Sequence, residues 1–275
     1  MIIQIKDILK SIEIDAPNSL AESWDNVGLL VGESGREVRK ILVGLDPTTS
    51  LLKEALAISA DLIITHHPII FRPLTKIDTS SPTGKVIQQS LINNISLIAC
   101  HTNLDSAKQG VSTVLADRLG LKNAVPLCPN PQNSQTGIGC IAEFIEPVAI
   151  EEFCSKLLST LSLETFQLAG PMPAQVKKVA LCGGSGSSFA KEALKLGADL
   201  YISAEIKHDV ARWAEECHFC IIDAGHYATE QFAVSLIAKG LRHRADLLGW
   251  EVDVVESESE KSPFVNIDSG SFVSS

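Results

Sequence analysis

Short apolar runs punctuate the chain: Ile41-Leu42-Val43, Leu62-Ile63-Ile64, Leu97-Ile98-Ala99, Val179-Ala180-Leu181, Leu200-Tyr201-Ile202 and Ile221-Ile222. Each is bounded by small or polar residues, and several are followed by stretches whose apolar positions fall three and four apart. Continuous runs of this length read as strands covered on both faces, and the longer period reads as helices packed against them. The pattern also repeats. Val38 to Thr65 and Val176 to Ser203 align without a gap at an offset of 138, with 11 of 28 positions identical, including Lys53-Glu54-Ala55-Leu56 against Lys191-Glu192-Ala193-Leu194. Self-similarity of this kind marks an internal duplication. Each copy predicts a strand, a small-residue turn, an amphipathic helix and a second strand, the β-α-β unit of a parallel sheet with its right-handed crossover. A further helix and strand continue each copy, through Gly84 to Cys100 in the first and Val210 to Asp223 in the second. The expected fold class is α/β, with two pseudo-repeated lobes, each a mainly parallel sheet flanked by helices.

Between the copies, Pro126 to Gly139 is rich in proline, asparagine, serine and glycine and predicts a loop at a lobe boundary. Ala142 to Leu163 predicts a short strand and then a helix over Val148 to Leu161. Thr229 to Leu248 predicts one long amphipathic helix, Glu256 to Ser262 a polar connector, and the last small polar residues a frayed end. The expected division is a first lobe of residues 1–125 plus 224–275, carrying most of the candidate site, and a second lobe of 126–223.

Composition narrows the function. With 45% hydrophobic residues the chain has ample core material, yet no apolar run reaches the roughly 18 residues of a membrane helix. The opening Met1-Ile2-Ile3-Gln4-Ile5-Lys6-Asp7 is not a signal region, so a cytoplasmic protein is expected. A net charge of -10 repels polyphosphate backbones and makes nucleic acid an unlikely partner; a small anionic substrate at a metal remains compatible. Seven cysteines in apolar contexts fit reduced, buried thiols. Cys217-His218-Phe219-Cys220 has C-x-x-C spacing but no second pair, and Cys220 enters a predicted strand, which favours a core role over zinc or redox chemistry.

The candidate chemistry lies at predicted strand ends. Thr65-His66-His67-Pro68 closes the first copy with two imidazoles, the commonest protein metal ligands. Neighbours in an extended segment point to opposite sides, so two ions a few ångströms apart could take one each. Asp105 follows the next apolar run, and His226 with Glu230 follows a third. The last two stand four apart after Gly225, which places both on one face of a helix after a tight turn. Ligands of open parallel sheets collect at the carboxyl ends of the strands, where all five residues fall. Oxygen and imidazole donors without thiolates suit two divalent ions of zinc, iron or manganese. Five ligands leave coordination positions open for water or substrate, so hydrolysis is the natural reaction class. His101, four residues before Asp105, is the candidate catalytic residue, as proton shuttle, additional ligand or orienter. In the second copy Glu205, His208 and Asp209 stand where the first has its histidine pair; they could line a pocket or begin a solvated helix. Gly183-Gly184-Ser185-Gly186-Ser187 resembles a phosphate cradle but lacks the Walker lysine.

Ser23-Trp24-Asp25-Asn26-Val27-Gly28-Leu29, Thr65-His66-His67-Pro68, His101-Thr102-Asn103-Leu104-Asp105 and Gly225-His226-Tyr227-Ala228-Thr229-Glu230 together make the chain closely similar to the Nif-three-like family of dinuclear metal-centre proteins, often labelled GTP cyclohydrolase I type 2 homologues. The resemblance runs over nearly the whole chain and fits the family's short form. It implies that His66, His67, Asp105, His226 and Glu230 bind a metal pair in a cleft between two interlinked lobes, and that the protein assembles as a hexameric ring. It also suggests opening of the guanine imidazole ring of GTP by a metal-activated water. A di-metal phosphoesterase and a non-catalytic metal-binding or regulatory protein are the competing expectations.

Overall fold

The computed structural model describes residues 1–267; the C-terminal end expected to fray lies largely outside the described residues. Two sheets organise the chain. The first has five strands in the order Asp253–Glu256, Lys40–Gly44, Leu62–Thr65, Ser96–Ala99 and Gly28–Val31. The first four run parallel, and Gly28–Val31 pairs antiparallel at the edge. The second has six strands in the order Lys122–Asn130, Asn133–Ala149, Gln175–Ser185, Leu200–Ala204, Cys220–Asp223 and Gln167–Ala169. Parallel pairing is confined to its centre, between Gln175–Ser185, Leu200–Ala204 and Cys220–Asp223, and antiparallel strands flank it on both sides.

The two stretches that align in the sequence pair their strands in equivalent register. Ile41 pairs with Leu62 in the first sheet, and Val179 pairs with Leu200, each 138 positions on, in the second. Asp61 accepts hydrogen bonds from the amides of Arg39 and Lys40 at 2.8 and 3.0 Å, and Asp199 does the same for Lys177 and Lys178 at 2.8 Å each. An identical aspartate thus ties the strand entering each unit to the strand leaving it.

Side chains alternate across each pleat, so both faces of each sheet are covered. Ile41, Val43, Leu62 and Ile64 face the helices Ile5–Asp15 and Phe232–Leu248, while Leu42 and Ile63 face Thr49–Ala57 and Pro82–Ile92. In the second sheet Val179, Leu181, Leu200 and Ile202 join a core with Val111–Arg118 and Ile150–Leu161; Ala180, Tyr201 and Ile221 pack on the opposite side. Two helices serve both cores. Val111 packs with the first and Leu115 with the second; Ala233 packs with the first and Phe232 with the second.

Three expectations need correction. Pro126 to Gly139 is a hairpin joining Lys122–Asn130 to Asn133–Ala149, not a loop. The prolines are tolerated because Lys122–Asn130 is an edge strand, where a missing amide costs no ladder bond. The predicted helix over Thr229 to Leu248 is two helices, His226–Glu230 and Phe232–Leu248, separated at Gln231. Glu256 to Ser262 is more than a connector. Glu256 ends a strand of the first sheet, and Glu260 folds back to accept the amides of Leu45 and Asp46 at 2.7 and 2.8 Å.

Candidate metal centre

Four segments converge at the carboxyl ends of the parallel strands. The first is His66-His67, immediately after Leu62–Thr65; the amides of the pair donate to Gly44 and Leu45 carbonyls, which keeps the segment extended. The second is the one-turn helix Thr102–Asp105, which follows Ser96–Ala99 and carries Asp105, with His101 at its start. The third is His226–Glu230, reached through Gly225 at φ +81°, a left-handed turn that favours glycine. The fourth is the loop of Gly183 and Gly184 at the end of Gln175–Ser185.

All four imidazoles are held from outside by Nδ1. His66 donates to the Cys100 carbonyl at 2.7 Å, His67 to Asp46 at 2.8 Å, His101 to Asp25 at 2.8 Å and His226 to Glu205 at 2.8 Å. A donating Nδ1 leaves Nε2 with its lone pair free, the tautomer that binds a metal, and an outer carboxylate or carbonyl is the usual means of fixing it. The Nε2 atoms meet around Glu230. One carboxylate oxygen of Glu230 lies 3.8 Å from His66; the other lies 3.0 Å from His67 and 2.8 Å from His226. Asp105 stands 3.6 Å from His66 on the first side.

The donor atoms of His66, Asp105 and Glu230 lie within 4.8 Å of one another, as do those of His67, His226 and Glu230, and those of His66, His67 and His101. The first two groups share Glu230, whose two oxygens face them separately. A cation fits this arrangement on three observations. The His66 Nε2 is buried and has no hydrogen-bond partner, which costs free energy unless something positive meets its lone pair. The donors are nitrogen and oxygen only, the set suited to zinc, iron or manganese. And Gly184, at φ +62°, is cleared for the Glu230 carboxylate: a Cβ there would lie 2.0 Å from its oxygen.

The electrostatics point the same way. Burial works against charge on His67, yet the hydrogen bonds it donates to Asp46 and Glu230 outweigh it and raise its pKa to about 10. Glu230 and Glu205 raise His226 to about 9 in spite of its partial burial. Burial raises Asp105 to about 6, with the Glu230 charge adding to it. The cluster thus favours positive charge on its imidazoles, the charge that a cation would supply to the same carboxylates. Asp25 is buried too, but its bonds to His101 and Thr102 overcome the desolvation and hold it well below the usual carboxylate range.

The centre opens into a cleft of about 700 Å³ lined from one side by Trp24, Phe71 and His101 and from the other by Ser185, Ser188 and Phe189. Trp24 and Phe71 are large, exposed aromatics with ring centroids 5.6 Å apart, each 6.2 Å from the His101 ring.

The structure brings together the five candidate ligands His66, His67, Asp105, His226 and Glu230 and the candidate catalytic His101. Asp46, Asp25 and Glu205 escaped that reading as orienting groups, although Asp25 lies in a quoted motif and Glu205 is the 138-offset counterpart of His67. His208 and Asp209 take no part; both are exposed at the start of the helix His208–Glu216. The glycine-rich loop is not a free phosphate cradle. Its Gly183 and Gly184 amides donate to Ser112 at 3.1 Å and Thr229 at 3.0 Å. Cys220 is buried and Cys217 exposed, both free thiols.

Two α/β units, joined by shared helices and facing a common carboxylate–imidazole centre, define a protein built around a candidate metal cluster. The chain belongs to the Duf34/NIF3 (NGG1p interacting factor 3) family, which it matches over residues 3–263. It is 34% identical over 261 residues to a GTP cyclohydrolase 1 type 2 homolog of Clostridium perfringens, covering 95% of this chain and 98% of that one. A Streptomyces coelicolor protein of the same description is 32% identical over 266 residues, 95% of this chain and 93% of the relative. Among solved structures, a Staphylococcus aureus hypothetical protein superposes with a TM-score of 0.90 at 29% identity, over 96% of this chain and 99% of the other. A Bacillus cereus protein related to NIF3 shares the fold with a TM-score of 0.91, over 97% and 100% of the two chains, at 24% identity.

Proposed function

We propose that the cluster holds two divalent cations and that the protein is a metal-dependent hydrolase of a nucleotide or related heterocycle. His66, Asp105 and Glu230 would hold one ion, and His67, His226 and Glu230 would hold the other. The observation that carries this reading is the bare, buried His66 Nε2 beside a carboxylate whose two oxygens serve separate donor groups. When bound, a pair of divalent ions supplies Lewis acidity and lowers the pKa of water towards neutrality. The protein's own part is to orient and to move protons. Asp46, Glu205 and the Cys100 carbonyl hold three imidazoles in the binding tautomer. His101, backed by Asp25, lies at the edge beneath Trp24 and is assigned proton transfer to the leaving group. The aromatic wall shields the centre and offers a planar base a stacking surface.

The name carried by the relatives makes GTP, opened with loss of formate, the first substrate to try. Purified protein is assayed for bound metal by plasma mass spectrometry and for formate release from GTP. Turnover that disappears in His67→Ala, and that falls in His101→Gln while bound metal is retained, supports the reading. A fully loaded protein with no turnover on GTP or other nucleotides, above the level of His67→Ala, overturns the hydrolase. Assembly as a hexamer belongs to the same proposal and is tested by light scattering.

A further inference from the structure

A second cavity, of about 660 Å³, lies between the helices Ile5–Asp15 and Phe232–Leu248, on the far side of Cys100 from the metal centre. The Cys100 residue lines it while its carbonyl holds His66. Its wall is apolar, formed by Ile12, Leu104, Ile237 and Leu241, and its rim carries the cations Lys108, Lys239 and Arg244 together with His243 against one acid, Asp15. Such a concentration of positive groups stands out on a chain of net charge -10. Among the described residues Arg244 has no hydrogen-bond partner for its side chain. Its guanidinium lies 3.6 Å from Asp15 at the closest, and its Nε is buried with no hydrogen-bond partner.

Gly240 adds an independent observation. It sits in the middle of the helix Phe232–Leu248 and lines the cavity. Glycine there costs about 1 kcal/mol against alanine. Among the described residues no close approach requires it: its φ is not positive, and an added Cβ would meet only the Asp15 carboxylate at 3.8 Å. The absent side chain enlarges the cavity and serves no contact of the fold.

We propose that this cavity binds a small amphipathic organic anion, its apolar body against Ile12, Leu104 and Ile237 and its carboxylate, sulfonate or phosphate on Arg244 and the neighbouring lysines. The volume is that of an ordinary small-molecule site, and the guanidinium fork suits a planar or tetrahedral anion. A second copy of the chain docking about a two-fold axis here would set Lys239, His243 and Arg244 against themselves, which disfavours it.

The test is a fluorescence titration of the full, metal-loaded chain with anilinonaphthalene sulfonate, followed by displacement with octanoate. Saturable binding with one site per chain, weakened at least about tenfold by Arg244→Gln and by the cavity-filling Gly240→Leu, is the expected result, with displacement by octanoate. Gly240→Ala serves as the folding control and raises the thermal midpoint of the chain. Binding unchanged in both Arg244→Gln and Gly240→Leu overturns the proposal. So does dissociation of an oligomer by Gly240→Leu without loss of the probe, which assigns this face to a second copy.

Discussion

Replacing Gly184 with alanine perturbs the centre without removing a single donor. The added Cβ would lie 2.0 Å from the Glu230 oxygen, 2.7 Å from its carboxyl carbon and 3.2 Å from the His226 Nε2. Ordinary contact begins near 3.4 Å, so the carboxylate must retreat by about 1.4 Å or the loop must yield. Neither is easy. Glu230 is 3% exposed and engaged by His67 and His226, and the Gly184 amide is committed to Thr229. Metal–ligand distances tolerate only about 0.2 Å. If Glu230 serves both donor groups as proposed, a displacement several times that figure would cost at least one of them, and metal affinity is expected to fall at least 10- to 100-fold, the range seen when supporting groups are removed. Left-handed backbone at φ +62° adds about 1 kcal/mol of strain for alanine. The assay is dialysis of parent and variant against a weak chelator, then metal content by plasma mass spectrometry and thermal midpoints with and without added zinc. Gly183→Ala is the control, because its φ is not positive and its nearest contacts are 3.3 Å. Should Gly184→Ala retain metal as tightly as the parent, the role of that glycine as clearance for Glu230 would be refuted.

Other outcomes follow from the same geometry. In the chelated protein the folded-state pKa values of His67 and His226, about 10 and about 9, lie above the usual 6.5. Their contribution to stability is therefore complete below about pH 6.5 and is lost as pH rises through 9 to 10. Metal competes with those protons, so the stabilisation gained on adding zinc should grow between pH 6 and 8, and a zinc-induced midpoint shift that shrank over that range would contradict the site. Asp46→Ala frees the His67 Nδ1 and should weaken metal binding about 10-fold or more, with Asp46→Asn milder, as read by chelator competition. Asp61→Ala and Asp199→Ala remove equivalent anchors from the two units; each should cost on the order of 1 kcal/mol in urea unfolding. Markedly unequal costs would show that the matched bonds do not carry matched loads.

Much of this protein was legible because its signals are local. The strands around Ile41, Leu62, Val179 and Leu200 are continuous apolar runs, and the match of residues 38–65 to 176–203 at an offset of 138 anticipates their equivalent register. His66, His67, His226 and Glu230 stood out because their spacing carries geometric meaning: neighbours in an extended segment diverge, and residues four apart on a helix align. Where local chemistry and context disagreed, context prevailed. Pro126 and Pro129 look like loop residues, yet an edge strand tolerates them. Asp253–Glu256 adds a fifth strand to the first sheet only because the Phe232–Leu248 helix delivers it beside Lys40–Gly44.

The sequence alone determined the matching strand–helix–strand stretches, the apolar faces and the candidate donors, since each depends on residues close together along the chain. Only the tertiary structure decided which atoms face inward. Asp25, Asp46, Glu205 and the Cys100 carbonyl lie 76, 21, 21 and 34 positions from the imidazoles they orient. A hydrogen bond is set by distance and direction in space, which no periodicity along the chain encodes. The division of the Glu230 carboxylate between two donor groups, and the bare Nε2 of His66, likewise exist only once the two sheets have packed around their shared helices.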